Sequence, residues 1–188
     1  MGTLLIILVL LCMSSGIFAI GIVSGKKLGS CYNSNVVLKT ALVFVVANLI
    51  ALSLSFILGN LLTPVLKDVL PWIAFSFLFL IGVRLLLESV EKSPSLNYTD
   101  IVQNSYMIRV AVQSSVDYFF LGFVLALVSG GSLLLALFIS AIFSFLAMTL
   151  GLSHGHSFAK TVLGNRLQRV AGVIVVIIAV KFLLTFNG

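Results

Sequence analysis

Asp117 is the residue of this sequence best placed to do chemistry, because it is an acid inside a long apolar stretch. The stretch runs from about Met107 to Val128, so about ten residues, or about 15 Å of helix, precede the carboxylate. A carboxylate near the middle of a bilayer costs about 2.5 to 3.5 kcal/mol and therefore faces a partner or a water-filled cavity. We interpret Asp117 as a group for cation coordination or proton coupling. A structural acid held by hydrogen bonds or an ion pair is the alternative.

Oxygen-bearing side chains in the apolar stretches could complete such a site. Ser115 precedes Asp117, Ser14 lies in the first apolar stretch, and Asn48 lies near the middle of the second. Hard cations such as Mg²⁺ and Mn²⁺ accept carboxylate, amide and water oxygens. We therefore predict a transient metal site formed by Asp117, Asn48, Ser115 and Ser14. For each serine the alternative is a packing role, with its hydroxyl bonded to backbone or to a neighbouring helix.

Arg84 and Glu88 form a second polar feature, in the third apolar stretch. Residues four positions apart share one face of a helix, so this spacing predicts a local ion pair that supports the site. Arg84 could instead reach Asp117, or extend its charged end toward the membrane surface. The sequence leaves these alternatives open.

The elements that position these residues are strongly apolar. Of the 188 residues, 61% are hydrophobic and only 9% are charged, with a mean hydropathy of +1.27, whereas soluble domains are about 25% charged. About 20 apolar residues cross a hydrocarbon core as helix. Because these stretches are apolar on all faces, they do not fit barrel strands, which alternate. We predict an all-α integral membrane protein with six transmembrane helices, at approximately 3–23, 40–59, 71–87, 107–128, 132–152 and 168–186.

Two parts of the chain resemble each other. Three positions are identical between SSGIFAIG at 14–21 and SVDYFFLG at 115–122. A basic residue is the fourth residue both of IGVRLLL at 81–87 and of IAVKFLL at 178–184. Since each unit has an odd number of spans, the second must enter the membrane from the opposite side. Such inverted repeats are typical of secondary transporters, whose substrate sites lie at the repeat interface. Chance similarity between apolar helices is the alternative.

The domain organisation follows from this repeat. We predict one three-helix repeat at 1–90, a cytoplasmic linker at 91–106 and a second three-helix repeat at 107–188. The linker is polar and short, which leaves no room for a soluble catalytic domain. No nucleotide-binding motif and no convincing catalytic pair occurs. We therefore expect a transporter driven by an ion or proton gradient, rather than an enzyme, with no resident cofactor.

Membrane topology, rather than nucleic-acid binding, explains the net charge of +6, because of where the basic residues lie in the sequence. Most of them flank the loops after the first, third and fifth spans, and cytoplasmic loops are rich in Lys and Arg. We predict a lipid-embedded chain with both termini outside. The residues concerned are Lys26, Lys27, Lys39, Lys92, Arg109, Lys160, Arg166 and Arg169.

Several of these segments together resemble the bacterial MntP-type manganese efflux pumps, in the LysE-like group of transporters. They are SSGIFAIG in span one, WIAFSFLFLIGVRLLLES in span three, SSVDYFF in span four and AGVIVVIIAVKFLL in span six. The resemblance implies a small inner-membrane pump that exports Mn²⁺ from the cytoplasm. It places the family's acidic motif of span four on Asp117, and its Gly-x-Arg motif on Gly82 and Arg84.

Two positions depart from the family's pattern. Where the family has an Asp in span one this chain has Gly16, and the often acidic position of span two falls on Asn48. Asp117 beside Arg84 is then a poor match to a doubly charged ion. Three hypotheses stay open: export of Mn²⁺ through a site of mainly neutral oxygens, export of another small solute such as an amino acid or another cation, and a non-transporting membrane scaffold.

Overall fold

The computed structural model describes residues 3–28, 34–64, 69–90, 104–129, 133–155 and 162–186. Each of these segments is built on one long helix, and no strand occurs within them. All six helices are long and apolar enough to cross a membrane, which confirms the predicted all-α, six-span architecture. They are α1 (Thr3–Leu28), α2 (Ser34–Leu62), α3 (Leu70–Val90), α4 (Asn104–Ser129), α5 (Leu133–His154) and α6 (Val162–Phe186).

The helices extend beyond the predicted spans at several ends. Helix α2 has 29 residues, or about 43 Å at 1.5 Å per residue, and it starts before the predicted residue 40. A hydrophobic stretch marks only the hydrocarbon crossing, whereas a helix can continue through the headgroup region, where its backbone bonds stay satisfied. Most of the predicted linker at 91–106 lies outside the described residues, and the division into two repeats stays a prediction.

The large side chains that face outward account for the composition. Leu134 is 80% exposed, Leu184 70% and Phe138 68%. Buried apolar side chains such as Phe44 and Leu52 fill the space between the helices. A water-soluble chain would not leave this much apolar surface uncovered. A hydrocarbon environment covers it.

The extensive helix contacts all join the first three helices to the last three. Helix α2 packs on α4, α1 on α5 and α3 on α6, with smaller contacts between α2 and α5, α1 and α6, and α3 and α4. Exchanging α1, α2 and α3 for α4, α5 and α6 leaves this pattern unchanged. Each three-helix unit therefore buries its apolar surface against the other unit and not within itself.

Helices α1 and α5 cross at glycines that bring their backbones together. A Cβ atom on Gly21 would lie 2.9 Å from the Cα atom of Gly151, and one on Gly155 would lie 2.9 Å from the Cα atom of Gly25. Only glycine permits this approach. Because higher numbers on α1 meet higher numbers on α5, the two helices run parallel.

Helices α2 and α4 cross in the same manner. A Cβ atom on Gly122 would collide with the side chain of Ser55, and one on Gly59 would lie 2.5 Å from the Cβ atom of Ala126. The α4 residues follow Gly21 and Gly25 by 101 positions, and the α5 glycines follow the α2 residues by 96. This second crossing thus corresponds to the first, position by position.

Helices α3 and α6 are antiparallel. The added Cβ atom on Gly82 would lie 3.1 Å from the backbone nitrogen of Val176, while Arg169 Nη2 donates to the carbonyl oxygen of Ser89 at 3.4 Å. Successive helices that each cross a membrane alternate in direction, so these directions are the ones an inverted repeat requires. The inverted repeat itself stays an interpretation, which the contacts support.

Candidate metal-binding site

Asp117 lies in α4, on the part of the helix that meets α3. Its side chain is 13% exposed, and its Oδ1 atom accepts a hydrogen bond from Nη1 of Arg84 at 2.8 Å. The carboxylate thus has the partner that its position within a span requires. The ion pair joins α3 in the first half of the chain to α4 in the second.

Arg84 makes both of the contacts that the sequence left as alternatives. Besides the bond to Asp117, its Nε atom donates to Oε1 of Glu88 at 3.0 Å. Its Nη2 atom donates to the backbone carbonyl of Gln113 at 3.3 Å. The guanidinium is planar and presents several donors in fixed directions, so one group can hold two carboxylates and a carbonyl at once. Arg84 and Glu88 are thus in contact, while their role in supporting a metal site stays a prediction.

Glu88 connects this cluster to a third helix. Its Oε2 atom accepts a hydrogen bond from Nε2 of Gln168 in α6 at 2.9 Å. The Glu88 side chain is 42% exposed, three times as much as that of Asp117. One guanidinium therefore lies between a sheltered carboxylate and an accessible one, and the cluster has a formal charge of minus one.

Asn48 lies in a separate, neutral chain of hydrogen bonds between α2, α5 and α4. Its Nδ2 atom donates to Ser144 Oγ at 3.1 Å, and Ser144 donates to the Tyr118 hydroxyl at 3.1 Å. All three residues are at most 1% exposed. Tyr118 is the residue after Asp117, so the neutral chain and the charged cluster meet at adjacent positions of α4.

Two buried oxygens beside this chain have no partner among the described residues. They are Asn48 Oδ1 and the hydroxyl of Ser140, which lies one turn before Ser144 on α5. A buried polar atom without a hydrogen bond lowers the stability of a protein by about 1 to 3 kcal/mol, so two such oxygens beside one chain of hydrogen bonds are unusual. The amide oxygen that we predicted as a ligand is therefore available to a water molecule or a cation.

The two predicted serine ligands bond to their own helices. Ser14 donates to the carbonyl of Leu11 at 2.7 Å, and Ser115 donates to that of Val112 at 2.8 Å. These are the contacts of the packing alternative, and they leave an oxygen lone pair on each hydroxyl. The metal role of Ser14 and Ser115 stays a prediction.

Gly16 lies in α1, 101 positions before Asp117. A Cβ atom there would lie 3.6 Å from Cδ2 of Leu85, an ordinary contact. The neighbour of Leu85 in the chain is Arg84, so the counterpart of Asp117 also faces α3. A Cβ atom is therefore accommodated at this position, where the chain has glycine and no acid.

The oxygens in this region suit a hard cation better than a soft one. They come from a carboxylate, an amide and hydroxyl groups, and the described residues contain no group of three or more His, Cys, Asp or Glu side chains that could hold a metal. Structural metal sites are usually built from such groups. The described residues therefore do not form the kind of ligand group on which structural metal sites are usually built.

Sequence reasoning did not identify Tyr118 or Gln168 as parts of these networks. A tyrosine among apolar residues indicates core packing as readily as polar contact. The hydrogen bond of Asn48 could have been found by comparing α2 with α5, as corresponding polar residues in the two halves of the sequence. Asn48 and Ser144 are 96 positions apart, the same spacing as Gly59 and Gly155, and they bond to each other.

Comparison with known proteins identifies the family of the chain. A family model described as "Putative manganese efflux pump" matches residues 32–183, which include α2 to α5 and most of α6. No solved structure matches the chain.

Three relatives show how far the similarity extends. "Probable manganese efflux pump MntP" of Salmonella newport is 28% identical over 94% of both chains. "Putative manganese efflux pump MntP" of Gloeothece citriformis is 26% identical over 94% of this chain and 92% of its own. The protein of that name from Methanocorpusculum labreanum is 30% identical over 69% of this chain and 68% of its own. Because the family model covers most of its length, the chain belongs to the Mntp family and is a multi-pass membrane protein of that family.

Proposed function

We propose that the chain exports Mn²⁺ across the inner membrane as a secondary transporter, driven by an ion or proton gradient. The family description and the names of the relatives supply the substrate. The positive-inside rule supplies the orientation, with the basic loops in the cytoplasm and both termini outside. The ion would bind transiently at Asp117, with Asn48, Ser115 and Ser14 as neutral oxygen donors.

One observation carries this proposal. Asp117 is a sheltered carboxylate at a contact between the two halves of a six-helix bundle. The described residues place no other carboxylate so deeply, since Glu88 is 42% exposed. An acid inside a span is expensive and is retained where it serves an ion pathway.

The neutral donors would supply what a single carboxylate lacks. A divalent ion loses most of its hydration on leaving water, and Mn²⁺ accepts amide oxygens as replacements. Asn48 Oδ1 is buried and without a partner in the described part of the chain. Its chain of hydrogen bonds ends at Tyr118, next to Asp117, so a small movement of α4 would affect both groups.

Complementation in cells tests the proposal. Expression of the chain in a manganese-sensitive bacterial strain that lacks its own exporter should restore growth in Mn²⁺ and lower cell manganese, measured by elemental analysis. Asp117→Asn should lose this effect while membrane levels stay normal. Asp100→Asn is the matched control, because it removes an acid from the sequence between α3 and α4. Wild-type protein that is present in the membrane without changing cell manganese would refute Mn²⁺ export.

Export of a zwitterion such as an amino acid is the second candidate. The observation that favours it is the Asp117–Arg84 pair, which offers one charge of each sign at a distance of 2.8 Å. An amino acid would bind its ammonium group to one partner and its carboxylate to the other. Metabolite and metal profiling of overexpressing cells separates the candidates, since this one predicts a change in amino acid levels and none in manganese.

A further inference from the structure

We propose that Arg84 competes with the exported cation for Asp117, and that Glu88 receives the guanidinium when the cation binds. This inference rests on the proposed function and assigns Arg84 a role in regulating the same site. The ion pair would then be the empty state of the transporter, and its opening would be a step of each transport cycle.

The geometry lets Arg84 leave Asp117 without losing all its partners. Its Nε atom already donates to Glu88 at 3.0 Å while Nη1 donates to Asp117 at 2.8 Å. A rotation of the guanidinium toward Glu88 would release Asp117 and keep the positive charge paired. Glu88 is itself held by Gln168 of α6 at 2.9 Å, so the receiving carboxylate is fixed in place.

The exposures of the two carboxylates favour this direction of movement. Asp117 is 13% exposed and Glu88 is 42% exposed. Leaving a bare carboxylate in the sheltered position is costly, so Arg84 neutralises Asp117 whenever no cation is present. An arriving divalent ion supplies more positive charge than the guanidinium, and the two repel each other at one carboxylate.

Gly16, which corresponds to Asp117 in the other half, explains why Arg84 would have to leave Asp117 when a cation binds. Gly16 provides no second carboxylate, although a Cβ atom there would be 3.6 Å from its nearest neighbour. With Asp117 as the one acid at this depth among the described residues, a cation cannot share it with Arg84 and still be neutralised. Displacement of Arg84 is the way in which the existing residues accommodate a doubly charged ion.

If the ion pair between Arg84 and Asp117 were purely structural, removal of Arg84 would have a different effect on Mn²⁺ affinity. If Arg84 only stabilises the fold, its removal leaves Asp117 buried and unpaired, which destabilises the protein and gives no gain in affinity. If Arg84 competes with the cation, its removal frees the ligand. The sign of the change in Mn²⁺ affinity therefore separates the two roles.

The test measures Mn²⁺ binding to the full-length protein in detergent, by the loss of the electron paramagnetic resonance signal of free Mn²⁺. Arg84→Gln should lower the Kd by about tenfold, or about 1.4 kcal/mol, and Arg84→Lys should return it toward the wild-type value. In proteoliposomes Arg84→Gln should lower KM and also the maximal rate, because the empty transporter then carries an unneutralised acid. Lys181→Gln is the charge control at the corresponding position of α6, and its Kd should stay unchanged. An unchanged or higher Kd in folded Arg84→Gln would overturn the inference.

A second variant keeps the test decisive if Arg84→Gln does not fold. Glu88→Gln removes the acceptor from a half-exposed position, so Arg84 stays with Asp117, and Mn²⁺ binding should weaken by at least about fivefold. Asp100→Asn should leave binding unchanged. Where both arginine and glutamate variants fold, the Glu88→Gln effect should shrink in the Arg84→Gln background, and additive effects would contradict the inference. Normal Mn²⁺ binding in Glu88→Gln would also contradict it.

Failure of this inference is distinguishable from failure of the proposed function. If wild-type protein neither binds nor transports Mn²⁺, Mn²⁺ export is wrong and this role of Arg84 is wrong with it. If wild-type protein binds and transports Mn²⁺ but Arg84→Gln does not tighten binding, only the role of Arg84 is wrong.

Discussion

The two halves of the bundle share a way of packing and differ in chemistry. Gly21 and Gly122 each bring one helix against another at corresponding positions. Asp117 of the second half, however, corresponds to Gly16 of the first; Asp117 forms an ion pair with Arg84, and Gly16 has no side chain that could form one. Backbone crossings therefore repeat where the fold depends on them, whereas the ionisable site occurs once. The comparison shows that the constraints on packing and on chemistry are separate in this chain.

The largest expected effect tests where the halves are alike. Gly21→Val and Gly122→Val should both prevent folding, because each crossing leaves no space for a side chain beside the backbone of the partner helix. Overpacking usually costs about 1 to 3 kcal/mol, and more where backbone cannot move. Membrane-inserted, monodisperse protein is measured by size-exclusion chromatography in detergent. Gly16→Val is the control and should fold, and a normal yield of either crossing variant would contradict the packing described for that half.

The next effect tests where the halves differ. Gly16→Asp places an acid in the first half, at a position where an added Cβ atom would lie 3.6 Å from Cδ2 of Leu85, an ordinary contact. A second carboxylate should lower the Kd for Mn²⁺ by about tenfold, since opposite charges near a sheltered site interact strongly. Gly16→Asn is the matched control, because it has nearly the same shape without the charge. Equal affinities of the two variants would show that Gly16 does not face the ion.

The smallest effect concerns the hydrogen bonds from Asn48 to Ser144 and from Ser144 to Tyr118, which join the two halves. Ser144→Ala removes both hydrogen bonds of that serine and should lower the stability in detergent by about 1 kcal/mol, since Asn48 and Tyr118 each lose a buried partner. Ser153→Ala is the control, as Ser153 bonds to its own helix at 3.3 Å and to the adjacent His154 at 2.9 Å. Thermal unfolding followed by circular dichroism measures the difference. Equal melting temperatures of Ser144→Ala and Ser153→Ala would mean that the hydrogen bonds of Ser144 do not contribute to stability.

The six spans were predictable because a membrane helix is marked by length and apolarity alone. The position of Asp117 inside a span was predictable for the same reason, since an acid in an apolar stretch is easily recognised, and its role in binding an ion stays a prediction. The Arg84–Glu88 pair followed from its spacing of four residues. These features depend on local sequence, which a single chain displays directly.

The contacts between distant residues were not predictable. The sequence left Arg84 with three alternatives, because a long side chain reaches several positions and only the packing of α3 on α4 selects among them. Tyr118 and Gln168 gave no signal, since polar pairing in a bundle depends on how each helix is rotated. Ser14 and Ser115 show the converse case, as their residue types suit a ligand while their hydroxyls bond to their own helices.

Mn²⁺ flux in proteoliposomes tests the central claim most directly. Purified wild-type protein, Asp117→Asn and Asp100→Asn would be reconstituted at equal density, with an imposed ion or proton gradient and a Mn²⁺-sensitive dye inside the vesicles. We predict gradient-dependent Mn²⁺ movement for wild type and Asp100→Asn, and movement at the level of empty liposomes for Asp117→Asn. Equal flux through wild type and Asp117→Asn, or no flux through correctly folded wild type, would contradict the account.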